Sequence, residues 1–148
     1  MHEQSMRTAA ERLVERSGVA MVGVNGSDGY PWIKAMFKLE SEGLLTCWFS
    51  TNTSSERVQR LLFDARASLY FSDQSTIEGL MLVGDIQVIT DDLETKRRFW
   101  SEGCEKYYPQ GVTDPDYSVL RFTAKWGRYY HKRQTASFEL TSQAEEVR

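Results

Sequence analysis

The sequence predicts an α+β protein whose core is a small, mostly antiparallel β-barrel with a few flanking helices. Two observations carry that prediction. Short β-rich runs follow one another with only turn-forming residues between them, and helical periodicity shows at three places alone. Strands adjacent in sequence pair antiparallel, and curling their sheet into a barrel hides its edges.

The elements read as follows. Residues 4–17 carry Met6, Ala9, Ala10, Leu13 and Val14 at helical spacing, and Gly18 stands where a left-handed residue commonly ends a helix. Val19–Val24 is a strand. Asn25-Gly26 is a hairpin signal, because both residues accept positive φ cheaply, and Asp28-Gly29 offers a second turn. Tyr30–Lys38 returns as a strand with Pro31 near its start, where proline is tolerated. Ser41-Glu42-Gly43 turns the chain into Leu44–Phe49. Val58, Leu61 and Leu62 suit a short helix ending before Arg66. Ala67, Leu69 and Phe71 alternate with polar neighbours as a half-buried strand does. Ile77–Thr90 is a long β-rich run in which Gly79 and Gly84 predict a bend or bulge. Asp91-Asp92 can cap a helix through Leu93, Lys96, Phe99 and Trp100. A loop broken by Pro109, Gly111 and Pro115 leads to two late strands, Tyr117–Lys125 and Trp126–Lys132. The sum is about seven strands.

At 148 residues the chain is the size of one domain, with residues 1–4 and those from about 142 expected to fray. A net charge of -3, with charges of mixed sign, matches a soluble globular protein with no general attraction to nucleic acid or an anionic membrane. No run approaches the ~20 apolar residues of a membrane span, and the N-terminus lacks the apolar stretch of a signal peptide. Cytoplasmic location is therefore expected. Cys47 and Cys104 make neither a disulfide framework nor a CxxC pair, and Cys47 reads as a small core residue. His2 and His131 lack Cys, Asp or Glu at ligand spacing, so no metal site is expected.

One stretch asks for a chemical explanation. In Trp48-Phe49-Ser50-Thr51-Asn52-Thr53-Ser54-Ser55-Glu56-Arg57-Val58, a strand ends in small hydroxyl and amide residues and a helix begins. A helix start presents unpaired N–H groups and a partial positive charge. Ser54 or Ser55 can cap it, while Thr51, the serines and Arg57 add hydroxyl donors and a guanidinium. Those parts make a phosphate cradle. They also make an ordinary capped helix, which is the commoner use of such residues, and Glu56 would repel an anion if turned inward. The neighbouring strand adds Lys34, which alternation places on one face with Met36 and Lys38, whereas Ile33, Ala35 and Phe37 take the other.

Taken in order, Ile33-Lys34-Ala35-Met36, the Trp48–Val58 stretch, Leu82-Val83-Gly84-Asp85-Ile86, Phe99-Trp100, Tyr107–Tyr117 and Leu120-Arg121-Phe122 resemble the pyridoxamine 5′-phosphate oxidase-like flavin-binding split barrels, in their general stress protein branch. The likeness runs from about Ser5 to His131. It implies a six-stranded split barrel, a homodimer, and flavin mononucleotide (FMN) bound at the dimer interface. It further implies that Thr51, Ser55 and Arg57 grip the phosphate and that Lys34 is the basic strand residue of the site. The backbone of Ala35 and Met36 would lie along the isoalloxazine ring, and Ser50 near the ring or the ribityl chain. The chain departs from the family's oxidases at Glu56, where they often carry a basic residue, and at Gly79, where they commonly place a flavin-contacting glutamine. Their substrate-gripping C-terminal histidine and arginine have no counterpart, since His131 lies too early and Arg148 in the tail. These departures argue against vitamin B6 oxidation more than against FMN.

The expected function is that of an FMN-dependent oxidoreductase or flavin reductase-like stress protein working with a small-molecule electron donor or acceptor. The alternatives are a non-catalytic flavin store or sensor, and an OB-like barrel binding single-stranded nucleic acid, which the acidic balance disfavours.

Overall fold

A computed structural model of the protein describes residues 3–140. The chain runs α1 (Glu3–Arg16), β1 (Val19–Asn25), β2 (Pro31–Phe37), β3 (Glu40–Glu42), β4 (Thr46–Asn52), α2 (Glu56–Phe63), β5 (Arg66–Asp73), β6 (Glu78–Ile89), α3 (Leu93–Phe99), β7 (Tyr117–His131) and β8 (Gln134–Glu139). Every ladder among the described residues is antiparallel, and one sheet runs in the order β2-β1-β5-β6-β7-β4-β3, with β8 on β7. The predicted α+β barrel is present, but the described residues form eight strands rather than six.

Two of these strands were not expected: β3 begins where Ser41-Glu42-Gly43 predicts a turn, and β8 has only a weak local signal. Ala136, Phe138 and Leu140 keep a period of two and point into the core, but polar neighbours dilute the signal. The two late strands expected either side of Lys125 are one continuous strand, β7. Its first half pairs with β4 and its second half with β8, while β6 runs along its other edge. Where β4 gives way to β8 the barrel wall divides.

The chain from β2 to β3 closes the curled sheet. These two edge segments are consecutive, and at the corner between them Lys38 N donates to Gly18 O (2.9 Å) on the β1 side while Leu39 N donates to Trp48 O (2.8 Å) on the β4 side. The predicted bulge lies at Val83/Gly84, where β6 shifts register against β7. A side chain at Gly84 would run into the Thr123 carbonyl, so close backbone approach requires glycine there.

Of the two turn sites expected between β1 and β2, the structure uses the second. The β1–β2 hairpin takes its left-handed residue at Gly29 (φ 83°), not at Asn25-Gly26. Gly26 is needed because the Trp32 indole packs against it. Nor does Gly18 end α1 in a left-handed conformation. The carbonyls at that helix end are taken by Ser17 and by Lys38, whose Nζ donates to Val14 O and to Glu15 O (3.3 Å). A lysine there also complements the helix dipole. Of the ends expected to fray, Glu3 and Gln4 lie in the first turn of α1, and residues from about 142 lie outside the described residues.

Inside the barrel, Met6, Leu13 and Val14 of α1 pack with Val22, Phe49, Leu69, Phe71, Leu80, Leu82, Phe122 and Tyr129. Cys47 is fully buried among them, and burial pushes its thiol up to about 12 against the opposing pull of Lys38, so it is an inert core residue as expected. A second cluster on the other side of β4 gathers Trp48, Ile89, Tyr117 and Val119 beneath Phe99, Trp100 and Tyr108. Buried Lys96 ties α3 to it, donating to Thr90 O (3.1 Å) and Asp114 O (3.4 Å). Among the described residues no helix is long and apolar enough to cross a membrane.

One charged knot joins α1 to the barrel rim. Arg16 Nη2 pairs with Asp73 (3.1 Å) and Glu78 (2.8 Å), and Tyr129 donates its hydroxyl to Glu78. The Ser75 hydroxyl, and then Arg16, hold the Asp73 carboxyl down at about 2. Burial pushes Glu78 up, but bonds from Thr76, Tyr129 and Arg16 outweigh it and the net shift is downward. Depressed carboxyls contribute stability that is present above their unfolded pKa, near ~4, and is lost as pH falls through the folded values. The melting temperature is therefore expected to drop as pH is lowered from 5 towards 2, and to drop less in Arg16→Gln. Matching acid profiles for parent and variant would remove this knot from the account.

Candidate functional site

The turn between β4 and α2 is fastened to the start of β7. Thr53 N donates to Asp116 O (2.7 Å), Ser54 N to the Asp116 carboxylate (2.8 Å), and the hydroxyls of Thr53 and Ser118 bond to each other. Asn52 Nδ2 donates to Ser54 Oγ (3.2 Å), and Gln59 Nε2 to Thr53 O (3.1 Å). Asp114-Pro115-Asp116 is the turn its composition predicts, with Asp114 accepting from the backbone N–H of Gln110 (3.1 Å) and Asp116 (3.0 Å). Asn52, Thr53 and Ser54 thus serve architecture. Ser55 is the N-cap of α2, its Oγ accepting from Val58 N at 3.2 Å.

What this scaffold positions is Arg57. Its Nη2 donates to Thr51 Oγ1 (3.1 Å) on buried β4, which aims the guanidinium back towards the sheet. Burial holds the guanidinium below its ordinary pKa. Its Nε is buried and has no hydrogen-bond partner among the described residues. An unpaired N–H on a charged group costs on the order of 1–3 kcal/mol.

A cavity of ≈ 220 Å³ opens between this corner and the β1–β2 hairpin. Its apolar wall is Val22, Val24, Trp32 and Ile33, and its polar mouth is Lys34, Ser55, Glu56 and Arg57. Lys34 reaches it because β1 and β2 pair with Val22 opposite Lys34 and Val24 opposite Trp32. A larger groove of ≈ 350 Å³ adjoins it through Val24 and Ile33, over Gly23, Ser68 and Gly84. The charges around that groove already face partners: Asp85 pairs with Lys125 (3.2 Å) and Arg66 with Asp64 (2.8 Å). The smaller cavity is the better candidate, because its cation carries the unmet donor.

Of the residues singled out from sequence, Lys34, Ser55 and Arg57 come together at this mouth, with Thr51 directly behind Arg57. Ala35, Met36 and Ser50 do not line it. Met36 is buried on the core side of β2, Ala35 faces outward, and Ser50 shares the Trp48 side of β4, opposite Thr51. Lys38, on the Lys34 face, is occupied with the end of α1. Val22, Val24 and Trp32 were missed, since only the β1–β2 register brings them to the cavity. Among the described residues no cluster of His, Cys, Asp and Glu could hold a metal ion, and His131 stacks with Tyr129 away from this cavity.

The donor set of guanidinium, ammonium, cap hydroxyl and helix start suits a phosphate ester. If Arg57 is kept for binding at a cost to folding, Arg57→Met should melt at the same or a higher temperature than the parent. A clear fall in melting temperature would make Arg57 a structural residue instead.

A family profile and one solved structure agree on the family of this chain. The profile of the pyridoxamine 5′-phosphate oxidase-like family matches residues 5–146. A Clostridium acetobutylicum protein related to general stress protein 26 of B. subtilis, of the pyridoxinephosphate oxidase family, has a crystal structure that superposes with a TM-score of 0.81 at 44% identity, covering 96% of this chain and 99% of that one. A pyridoxamine 5′-phosphate oxidase-related, FMN-binding protein from Nostoc punctiforme (TM-score 0.64, 14% identity, 93% and 94% of the two chains) shares the fold. So does a heme-binding protein from Mycobacterium smegmatis (TM-score 0.73, 18% identity, 94% of this chain and 60% of that one). No curated protein matches the chain.

Proposed function

This chain belongs to the pyridoxamine 5′-phosphate oxidase-like family, and from that premise and the unmet donor of Arg57 we propose that it is an FMN-binding flavoprotein acting as an oxidoreductase of the flavin reductase-like kind. The carrying observation is the buried, unpartnered Nε of Arg57 at the mouth of a cavity that also offers Lys34, the Ser55 cap and the start of α2. A phosphate ester carries about -1.5 to -2 charge at pH 7 and accepts several hydrogen bonds. Ser55 and Arg57 would hold it, Thr51 would keep the guanidinium in position, and Lys34 would add a second positive charge.

Bound there, the isoalloxazine ring would supply hydride or electron transfer. The chain's own part is binding and orientation. Among the described residues β2 is an edge strand, so one side of its backbone at Ala35 and Met36 has no ladder partner there and would be available to the ring edge. No acid–base pair is required for this chemistry.

A homodimer completes the reading. Val19, Met21, Ile33, Phe37 and Tyr70 are all exposed large apolar residues, Phe37 at 80% and Ile33 at 68%. The register makes them one surface: Val19 faces Phe37, Met21 lies between Ala35 and Tyr70, and Ile33 faces Gly23. A contiguous apolar face across three strands is a docking surface by its chemistry, and it borders the cavity through Ile33. A second copy of the chain would wall in a ring lying along β2.

Freshly isolated protein, or protein given FMN, should show a flavin absorption band that bleaches with a reductant and returns in air. The double variant Arg57→Ala/Ser55→Ala should fold normally and bind FMN roughly tenfold to a hundredfold more weakly, as loss of charge-assisted bonds predicts. Unchanged affinity would sink the phosphate assignment, and oxidation of NADH or NADPH by the loaded protein would separate an enzyme from a flavin store. For the interface, Phe37→Asp should convert a dimer to a monomer in sedimentation experiments; a parent chain that is already monomeric at tens of micromolar would contradict it.

A further inference from the structure

Glu56 is the member of the cavity mouth that an anion site would not be expected to contain. It stands in the first turn of α2, is exposed, and lines the same cavity as Lys34 and Arg57. Among the described residues its carboxylate accepts no hydrogen bond and enters no ion pair. An acidic residue in a first helical turn does favour the helix dipole, and that alone would account for Glu56 if it faced open solvent. It does not stand apart from the site, however: Ser55, Glu56 and Arg57 all border one volume of ≈ 220 Å³.

The electrostatic balance follows directly. Two cations and one carboxylate leave a side-chain charge of one positive unit at the mouth, to which the helix start adds about half a unit. A phosphate monoester brings roughly -1.5 to -2. Without Glu56 the cradle would exceed the ligand's charge; with it, the cradle at most matches that charge. Arg57 is the half-buried partner and keeps its donor whatever Glu56 does, so binding is weakened rather than abolished.

We propose that Glu56, sharing the cavity mouth with Lys34 and Arg57, repels a bound phosphate and thereby keeps the flavin exchangeable, so that this chain takes up and releases FMN instead of holding it permanently. The inference rests on the FMN reading of the cavity and adds to it a mode of use: flavin bound as a ligand that turns over between sites.

The test is titration of FMN and of riboflavin, which lacks the phosphate, into the full chain as parent, Glu56→Gln and Glu56→Asp, followed by flavin fluorescence and by release on dilution. Glu56→Gln should bind FMN about three- to tenfold tighter, mostly through slower release, because one like charge at the same wet cavity mouth is worth about that factor. Its affinity for riboflavin should stay within about twofold, the Asp variant should resemble the parent, and added salt should narrow the gap. Equal FMN affinity in parent and Glu56→Gln, with Arg57→Ala still weakening binding, would overturn the role of Glu56 and leave the phosphate cradle standing. An equal gain for riboflavin would overturn it too, since the effect would not run through the phosphate. If the parent binds no FMN at all, the FMN reading and this inference fall together.

Discussion

The fold depends on the length of β7. A strand of 15 residues can carry β6 along one edge and two successive partners, β4 and β8, along the other. Everything else is hung on that rail. Its N-terminal end receives the turn that leads into α2, through Asp116 and Ser118, and its C-terminal end places Tyr129 against Glu78 and so against Arg16 of α1. Because its residues alternate between the core and the opposite face, the same strand supplies Leu120 and Phe122 to the main core, and Tyr117 and Val119 to the cluster under α3.

That arrangement explains the hydroxyl-rich turn after β4. Most of its small polar residues exist to connect two elements whose backbones would otherwise leave N–H groups unpaired. The consequence is a rigid platform on which Ser55 and Arg57 are held. A loosely held arginine would relax to find water or a carboxylate; Thr51 and the buried strand beneath keep this one where its Nε has no partner among the described residues. Stability is given up locally in a way that a negatively charged ligand would repay.

The cavity and the exposed apolar face of β1, β2 and β5 meet at Ile33, and that adjacency links the binding and assembly readings. One face of β2 belongs to the core, through Met36, and brings Lys34 to the cavity mouth; the other turns Ile33, Ala35 and Phe37 outward. An edge strand with a free backbone side and an apolar outer face is an aggregation hazard in a lone chain. Pairing of two copies would remove the hazard and shelter a flat aromatic ligand in the same step.

Local chemistry was legible in the sequence because it depends on near neighbours. The apolar stripe of α1, the Ser55 and Asp92 caps, the bend near Gly84, the turn at Asp114-Pro115-Asp116 and the core position of Cys47 each follow from residues within a few places of one another. The family likeness extended that reach to Lys34, Thr51, Ser55 and Arg57, which do meet in space. What only the tertiary structure decided was set by contacts between distant segments. Lys38 ends α1 in place of Gly18 because β2 passes the helix terminus, and Gly26 is required because Trp32 folds back over it. β7 runs through Lys125 unbroken because β6 and β8 flank it there, and Val22 and Val24 wall the cavity because register, invisible in a linear pattern, sets them opposite Lys34 and Trp32. Propensity acts over a few residues, whereas strand pairing and desolvation act between residues brought together only when the sheet has curled.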